Sequence, residues 1–358
     1  KIKKLIIASV MKTVRLYVLV LVAFAVAVPL TVAPAAGVAA KQESVSKKKT
    51  AAAKKTIRKA SKKKSTRSRL SSAVRQQYKF AALVVDADTG RVLYEKNAGA
   101  TRYPASLTKM MTLYLAFDAL KKGTLHIGQP LPVSKKAAEQ PQTNIALKPG
   151  DRLPVKTAIE SRVVLSVNDS AMVLAEAIGQ TQWNFALLMT KKARQLGMKD
   201  TVFRNPNGLP DTQQHTTAYD MARLGIALRR DFPEYYHFFS LREFSFNGVN
   251  YLTHNRVLEE YDGADGIKTG YIRASGFNLV TSAKRGGHHL VAVIMGGESS
   301  GKRDRQMVDL LNRTFAQLEG HSSRVADFGE DSDIGSEISE LVARVVSGSA
   351  QAADTSGR

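Results

Sequence analysis

The sequence predicts an α/β (α+β) fold, with strand patterns at both ends of the folded region and helical patterns between them. Three observations carry this. A β-hairpin pattern begins at residue 82, helical apolar spacing recurs from residue 110 to residue 229, and two apolar strand patterns lie between residues 277 and 296.

The hairpin pairs Ala82–Val85 with Arg91–Tyr94 across the turn Asp86-Ala87-Asp88-Thr89-Gly90, where Asp and Gly supply the turn chemistry. Tyr103-Pro104-Ala105-Ser106-Leu107-Thr108-Lys109 then leads into Met110, Leu113, Leu115, Phe117 and Leu120 at helical spacing, so Ser106 falls at a helix start. After Gly123 the prolines 130, 132, 141 and 149 break up short apolar pieces, which reads as loops and small elements lining a cleft. Val155–Leu165 and Ala171–Ile178 are helical, and Ser166-Val167-Asn168 forms the turn between them. Phe185–Leu196 is a further helix, ended by Gly197; Phe203–Asp211 is a loop of turn formers; Thr217–Arg229 is helical, capped by Thr216 or Thr217. Phe232, Tyr235, Tyr236, Phe238 and Phe239 read as core, with no spacing that suggests stacking on bases. Asp265–Tyr271 leads into the strands Phe277–Ala283 and Leu290–Gly296.

Charge separates this region from its flanks. The chain has 358 residues, no cysteine and a formal net charge of +22, yet residues 1–75 hold 19 Lys and Arg against one acid, leaving +4 for the rest. A basic tail on a nearly neutral domain argues against a nucleic-acid binder. Met11, Lys12, Arg15, the apolar core Leu16–Val28 and the small residues through Ala40 have the pattern of a secretory signal (residues 1–40, start at Met11), the competing reading being an uncleaved anchor. The expectation is therefore an exported, periplasmic protein, associated with the membrane surface if the anchor is kept. Residues 41–76 are expected to be a disordered basic linker, either a solvated spacer or a contact to an anionic membrane or cell-wall polymer. In the tail, residues 319–358, Ile334, Ile338, Leu341, Val342, Val345 and Val346 have the spacing of a short amphipathic helix; Glu337 and Glu340 argue against anionic lipid, so a weakly ordered tail is expected.

Three clusters carry chemistry. Lys109 lies one helical turn after Ser106, so a hydroxyl and a potential base share a face, and a desolvated lysine is one of the few side chains able to take a serine proton. Ser166 and Asn168 project to one side of their turn, offering a hydroxyl for proton relay and an amide to grip a carbonyl. Asp265-Gly266-Ile267-Lys268-Thr269-Gly270-Tyr271 offers a cation, a hydroxyl, a glycine that permits close backbone approach and, at Tyr271, a backbone N–H for an oxyanion. Each alone is a common pattern. Together, Ser-x-x-Lys, Ser-x-Asn and Lys-Thr-Gly in this order form the set of the penicillin-binding proteins and serine β-lactamases.

With Asn205 through Gly208-Leu209 and Thr217-Ala218-Tyr219-Asp220-Met221 added, residues 77–318 resemble the low-molecular-weight D-alanyl-D-alanine carboxypeptidases, serine-type penicillin-binding proteins. The resemblance implies a β-lactamase/DD-peptidase-like catalytic domain: a central, mainly antiparallel sheet flanked by helices, and a helical lobe carrying Ser166 and Asn168. It also implies acyl transfer on the D-Ala-D-Ala end of a peptidoglycan stem peptide, with β-lactams as acylating inhibitors. Ser106 would be the nucleophile and Lys109 its general base, Ser166 and Lys268 a relay to the leaving amine. Asn168, Thr269 and Gly270 would line the peptide site, the N–H groups of Ser106 and Tyr271 the oxyanion hole, and Arg303 would attract the terminal carboxylate, with Arg305 in competition. No metal or cofactor is expected; His126, His215, His237, His254, His288 and His289 lack ligand spacing.

Two departures from the family stand out. Val167 replaces a frequent glycine, and the 40 residues after Leu318 are too few for the β-rich second domain of many members. Three other activities compete. A D,D-endopeptidase would use the same residues. A β-lactamase is disfavoured by the lack of a Glu placed after Ser166-x-Asn168 to activate a deacylating water. A non-catalytic wall-binding or β-lactam-sensing module would draw its affinity from the basic tail.

Overall fold

A five-stranded sheet organises the protein. Its strands are β1 (Ala81–Asp86), β2 (Val92–Lys96), β7 (Ala264–Ile272), β8 (Gly276–Arg285) and β9 (His288–Gly297), in the order β2-β1-β9-β8-β7. Every neighbouring pair is antiparallel. This computed structural model describes residues 78–319; the signal segment, the basic linker and the tail beyond residue 319 lie outside the described residues. Among the described residues no helix is long and apolar enough to cross a membrane.

The hairpin forms where the sequence places it. Asp86 Oδ1 accepts from the backbone N–H of Asp88 and Thr89 and from the Thr89 hydroxyl, and Gly90 takes the left-handed turn position with φ +74°. β1 continues from it as a central strand. Both its faces are therefore buried, and its residues alternate between two cores.

On one face Ala81, Leu83 and Val85 join Val291, Val293 and Met295 against helices α1 (Thr108–Lys121) and α5 (Ala218–Asp231). On the other, Ala82 and Val84 join Ala292 and Ile294 against α6 (Ser300–Leu318), which presents Met307, Leu310, Leu311 and Phe315 at helical spacing. Sequence reading missed α6, although Ser299 caps it by accepting from the Lys302 N–H. Helix α1 is buried almost all round, which is why its residues show little amphipathic contrast. At its C-terminal half Phe117 meets Phe232, Tyr235, Phe238 and Phe239 with ring centroids 5.4–6.2 Å apart, so the aromatic cluster is core as expected.

The helical lobe consists of α2 (Val155–Val164), α3 (Asp169–Gly179) and α4 (Gln182–Gln195). Helix α3 starts earlier than its apolar marks suggested, because Asp169 suits the positive first turn and its carboxylate accepts from Ser170 N–H and Ile145 N–H. Of the two candidate caps for α5, Thr217 serves: its hydroxyl accepts from Asp220 N–H.

Two minor ladders complete the fold. β3 (Pro130–Pro132) pairs with β4 (Arg152–Pro154), and β5 (Glu243–Phe246) pairs with β6 (Val249–Leu252). The second was legible and overlooked. Asn247-Gly248 turns it with φ +49° and +76°, and Asn-Gly between alternating apolar residues is a strong hairpin signal.

Candidate active site

Ala105–Leu107 is a single 3-10 turn that runs into α1. Ala105 has φ +50°, a left-handed conformation that costs a non-glycine residue about 1–2 kcal/mol. The turn is held from two sides. From the sheet, Asn278 on β8 donates through Nδ2 to the carbonyls of Tyr103 (3.0 Å) and Pro104 (3.1 Å), while its Oδ1 accepts from Gly296 N–H (2.9 Å). From the loop 203–211, Gly208 passes so close that a Cβ there would lie 1.9 Å from the Ala105 carbonyl oxygen. Gly270 on β7 closes the arrangement: a Cβ on it would sit 3.0 Å from Ser106 N and 3.1 Å from Leu107 N. The backbone of β7 therefore runs directly past the Ser106 turn.

A serine at a helix start is most often a cap, but Ser106 makes no side-chain cap bond. Its Oγ lies 3.1 Å from Lys109 Nζ. The same nitrogen reaches Asn168 Oδ1 (2.8 Å) and the Asn207 carbonyl (2.6 Å). Those two partners can only accept, whereas a hydroxyl can donate or accept. An ammonium would donate to all three oxygens, whereas a neutral amine gives its two N–H bonds to the two obligate acceptors and turns its lone pair to the Ser106 hydroxyl. Lys109 is 0% exposed, and burial holds it well below the usual lysine range, with the Lys268 and Arg162 cations acting the same way and Asp169 opposing them.

Ser166 occupies the turn between α2 and α3 with φ +63°. Its Oγ is buried and has no hydrogen-bond partner among the described residues, so the expected link to Lys268 is not a hydrogen bond here. Asn168 differs from its expected role. Both its amide hydrogens are given to the carbonyls of Pro141 and Gln142 (3.0 Å each), so it ties the proline-rich loop to Lys109 instead of offering a free donor.

Lys268 and Gly270 are buried on one face of β7, and Thr269 and Tyr271 lie on the other, Tyr271 exposed with its ring against Phe277. Lys268 Nζ donates to the Thr269 carbonyl (3.1 Å), and burial, reinforced by Arg303 and Arg162, brings it down to about 7. Arg303 is buried beside β8, with Nη1 on the Asn278 carbonyl (2.9 Å) and Nε and Nη2 on Asp304. Arg305 is exposed.

Comparison with known proteins agrees with this geometry. Residues 68–299 match Peptidase_S11, the D-alanyl-D-alanine carboxypeptidases. The chain belongs to this family. It is 35% identical to D-alanyl-D-alanine carboxypeptidase DacF of Bacillus subtilis over 252 residues, covering 67% of this chain and 63% of DacF. The chain thus spans less than two thirds of that relative. Penicillin-binding protein 5 from Haemophilus influenzae is 34% identical with a TM-score of 0.64, covering 66% of this chain and 70% of that one. Penicillin-binding protein D2 from Listeria monocytogenes, in a cefotaxime-bound form, is 26% identical with a TM-score of 0.61, covering 66% and 96%. The fold is that of the penicillin-binding proteins.

Within this family member, Val167 is fully buried among the apolar residues of the lobe and so packs inward. Asn278, Asn207, Asp169 and Arg162 were not singled out from sequence as site residues; each acts on a residue far away in the chain. A buried Asn inside a strand, as in Phe277-Asn278-Leu279, was the one available signal. Another grouping, Ser282, His289 and Asp265, is no triad. Ser282 Oγ and Asp265 Oδ2 both approach His289 Nε2, at 2.6 and 3.6 Å, so the carboxylate does not orient the imidazole through its other nitrogen, and the serine and histidine are buried. A depression of about 500 Å³ lined by Leu120, His126, Tyr235 and His237 lies at the opposite end of α1 from Ser106 and brings no nucleophile and base together.

Proposed function

We propose that the protein is an exported serine-type D-Ala-D-Ala carboxypeptidase that removes the terminal D-alanine from peptidoglycan stem peptides, and that penicillins acylate it. The observation that carries this reading is Lys109: fully buried, 3.1 Å from Ser106 Oγ, with its other two partners limited to accepting. Burial favours the neutral form of such a lysine, and a neutral amine can take the serine proton.

In this mechanism Lys109 Nζ accepts the Ser106 proton as Oγ attacks the carbonyl of the penultimate D-alanine. The backbone N–H groups of Ser106 and Tyr271 receive the oxyanion, an effect worth about 3–4 kcal/mol per donor. Ser166 and Lys268 return a proton to the departing D-alanine amine, and water then releases the acyl group from Ser106. Thr269 and Gly270 flank the peptide, and Arg303 would draw the terminal carboxylate only by loosening its pair with Asp304. Asn168 first holds Lys109; gripping a substrate carbonyl takes release of one of its bonds to Pro141 or Gln142. The cefotaxime-bound relative supports β-lactams as acylating inhibitors. Export to the periplasm rests on the signal pattern of residues 11–40, and the basic linker serves either as a solvated spacer or as a contact to an anionic membrane or wall polymer.

The test is product analysis on a free pentapeptide and on crosslinked muropeptide dimers. Release of D-alanine from the pentapeptide, with dimers intact and a silent Ser106→Ala variant, is the expected result. Conversion of dimers to monomers would establish an endopeptidase instead. No turnover of either substrate would favour a wall-binding or sensing module.

A further inference from the structure

Two oxygens hold the Lys109 amine beside Ser106, and they come from different parts of the fold. Asn168 Oδ1 (2.8 Å) belongs to the turn between α2 and α3 in the helical lobe, and the Asn207 carbonyl (2.6 Å) to the loop 203–211. The loop is seated on α1 and on itself: Thr112 donates to the Pro206 carbonyl (2.6 Å), and Asn205 Oδ1 accepts from Gly208 N–H (2.7 Å). Neither bond reaches the lobe. The spacing of the two oxygens, which decides where Nζ rests, needs a separate tie.

The segment 140–145 supplies it. Toward the lobe, the Pro141 and Gln142 carbonyls accept both amide hydrogens of Asn168 (3.0 Å each), and the Thr143 carbonyl accepts the Asn168 backbone N–H (2.6 Å). Ile145 N–H adds a bond to Asp169 Oδ2 (2.9 Å). Toward the loop, Gln140 Oε1 accepts from Asn207 Nδ2 at 2.7 Å. Among the described residues this is the one hydrogen bond between the segment 140–145 and the loop 203–211. Gln140 is itself anchored in the one-turn helix Lys135–Ala138: Nε2 donates to the Lys136 carbonyl (3.0 Å) and its backbone N–H to the Ala137 carbonyl (3.2 Å). It therefore presents a fixed acceptor. Asn207 is buried and Gln140 half-buried, so water competes little for their bond.

We propose that Gln140 is a positioning residue that acts on Lys109 through Asn207: the Gln140–Asn207 bond closes a bracket around the lysine, fixing the spacing of its two acceptors and with it the aim of Nζ at Ser106 Oγ. The proposal rests on Lys109 being the base for Ser106. Gln140 makes no hydrogen bond to Lys109 or Ser106 itself. Its effect therefore belongs to the chemical step, where small displacements of the reacting groups are costly, and not to the first binding of the ligand.

The experiment is a double-mutant cycle on acylation by a fluorescent penicillin, with thermal unfolding beside it, for the wild type, Gln140→Met, Asn207→Leu and the double variant. Gln140→Met removes the acceptor at similar volume; Asn207→Leu removes the donor and leaves the backbone carbonyl in place. Each single variant should acylate about tenfold more slowly at saturating penicillin, with the half-saturating concentration within about twofold of the wild type. The double variant should be no slower than the slower single, because both changes remove the same bond. Gln140→Glu keeps an acceptor for Asn207 Nδ2 and should stay within about threefold of the wild-type rate. Midpoints of the single variants should fall by no more than about 2–4 °C, the loss of one hydrogen bond. A wild-type rate in either single variant, losses that multiply to about 100-fold in the double, or a Gln140→Glu variant as slow as Gln140→Met would each overturn the proposal. So would a midpoint lowered by more than about 10 °C in Gln140→Met, since the glutamine would then serve the fold. Absence of wild-type labelling at Ser106 would instead remove the reading on which the proposal rests.

Discussion

Asn278 offers a test of how the Ser106 turn is held. Its side chain makes three bonds of 2.9–3.1 Å, two to carbonyls of the segment before Ser106 and one from the Gly296 N–H of β9. Asn278→Leu keeps the approximate size and removes all three. A buried hydrogen bond contributes about 1 kcal/mol net, and a buried polar group deprived of its partner is destabilising by about 1–3 kcal/mol. Pro104 O keeps a second donor in Leu107 N–H, which reduces the loss. Together these give about 3 kcal/mol, or a midpoint lower by roughly 6–12 °C for a domain of this size. The kinetic effect should exceed the loss of folded protein. Ala105 is held left-handed by its surroundings, so a released turn relaxes and carries Ser106 Oγ out of line with Lys109; a displacement of about 1 Å commonly lowers a rate by about 100-fold. Penicillin acylation measured well below the variant's melting range separates the two effects. A variant that acylates at the wild-type rate while folded would refute the claim that Asn278 sets the geometry of Ser106.

Further outcomes follow from the same contacts. Gly208→Ala adds a Cβ 1.9 Å from the Ala105 carbonyl at a residue with φ +86°, so backbone must move; a stability loss of roughly 2–4 kcal/mol and at least about tenfold slower acylation are expected, checked by denaturant unfolding and penicillin labelling, and a neutral result would mean the loop does not press on the turn. Lys268 stands at about 7 when folded and near ~10.4 when unfolded, so between these values the unfolded chain binds a proton the folded one lacks and stability rises with pH, by up to about 1.4 kcal/mol per unit. Lys268→Met should lack this contribution, so the wild type should gain on the variant between about pH 7 and 10 in unfolding free energy; parallel pH curves would contradict the depressed lysine.

Local features were legible in the sequence and distant ones were not. Ser106 and Lys109 are one helical turn apart, so spacing alone places them on one face, and Asp86 through Gly90 carry their turn chemistry within five residues. The pairing of Asn168 with Lys109, the clamp of Asn278 on Pro104 and the approach of Gly208 to Ala105 span 59 to 174 residues of chain or depend on backbone packing, which no local period encodes. Arg162 was hidden for a different reason. An arginine in a helical pattern reads as a solvated face, and only the packed lobe turns it inward. The Asn247-Gly248 hairpin and the Met307, Leu310, Leu311, Phe315 stripe, by contrast, were written locally and passed over.

The most direct measurement is intact-protein mass spectrometry after exposure to benzylpenicillin, with peptide mapping of the adduct. One penicilloyl group on Ser106, absent from Ser106→Ala and formed far more slowly in Lys109→Arg, is the expected result. An adduct on another residue, or full labelling of the Ser106→Ala variant, would contradict the assignment of the buried lysine–serine pair as the reacting centre.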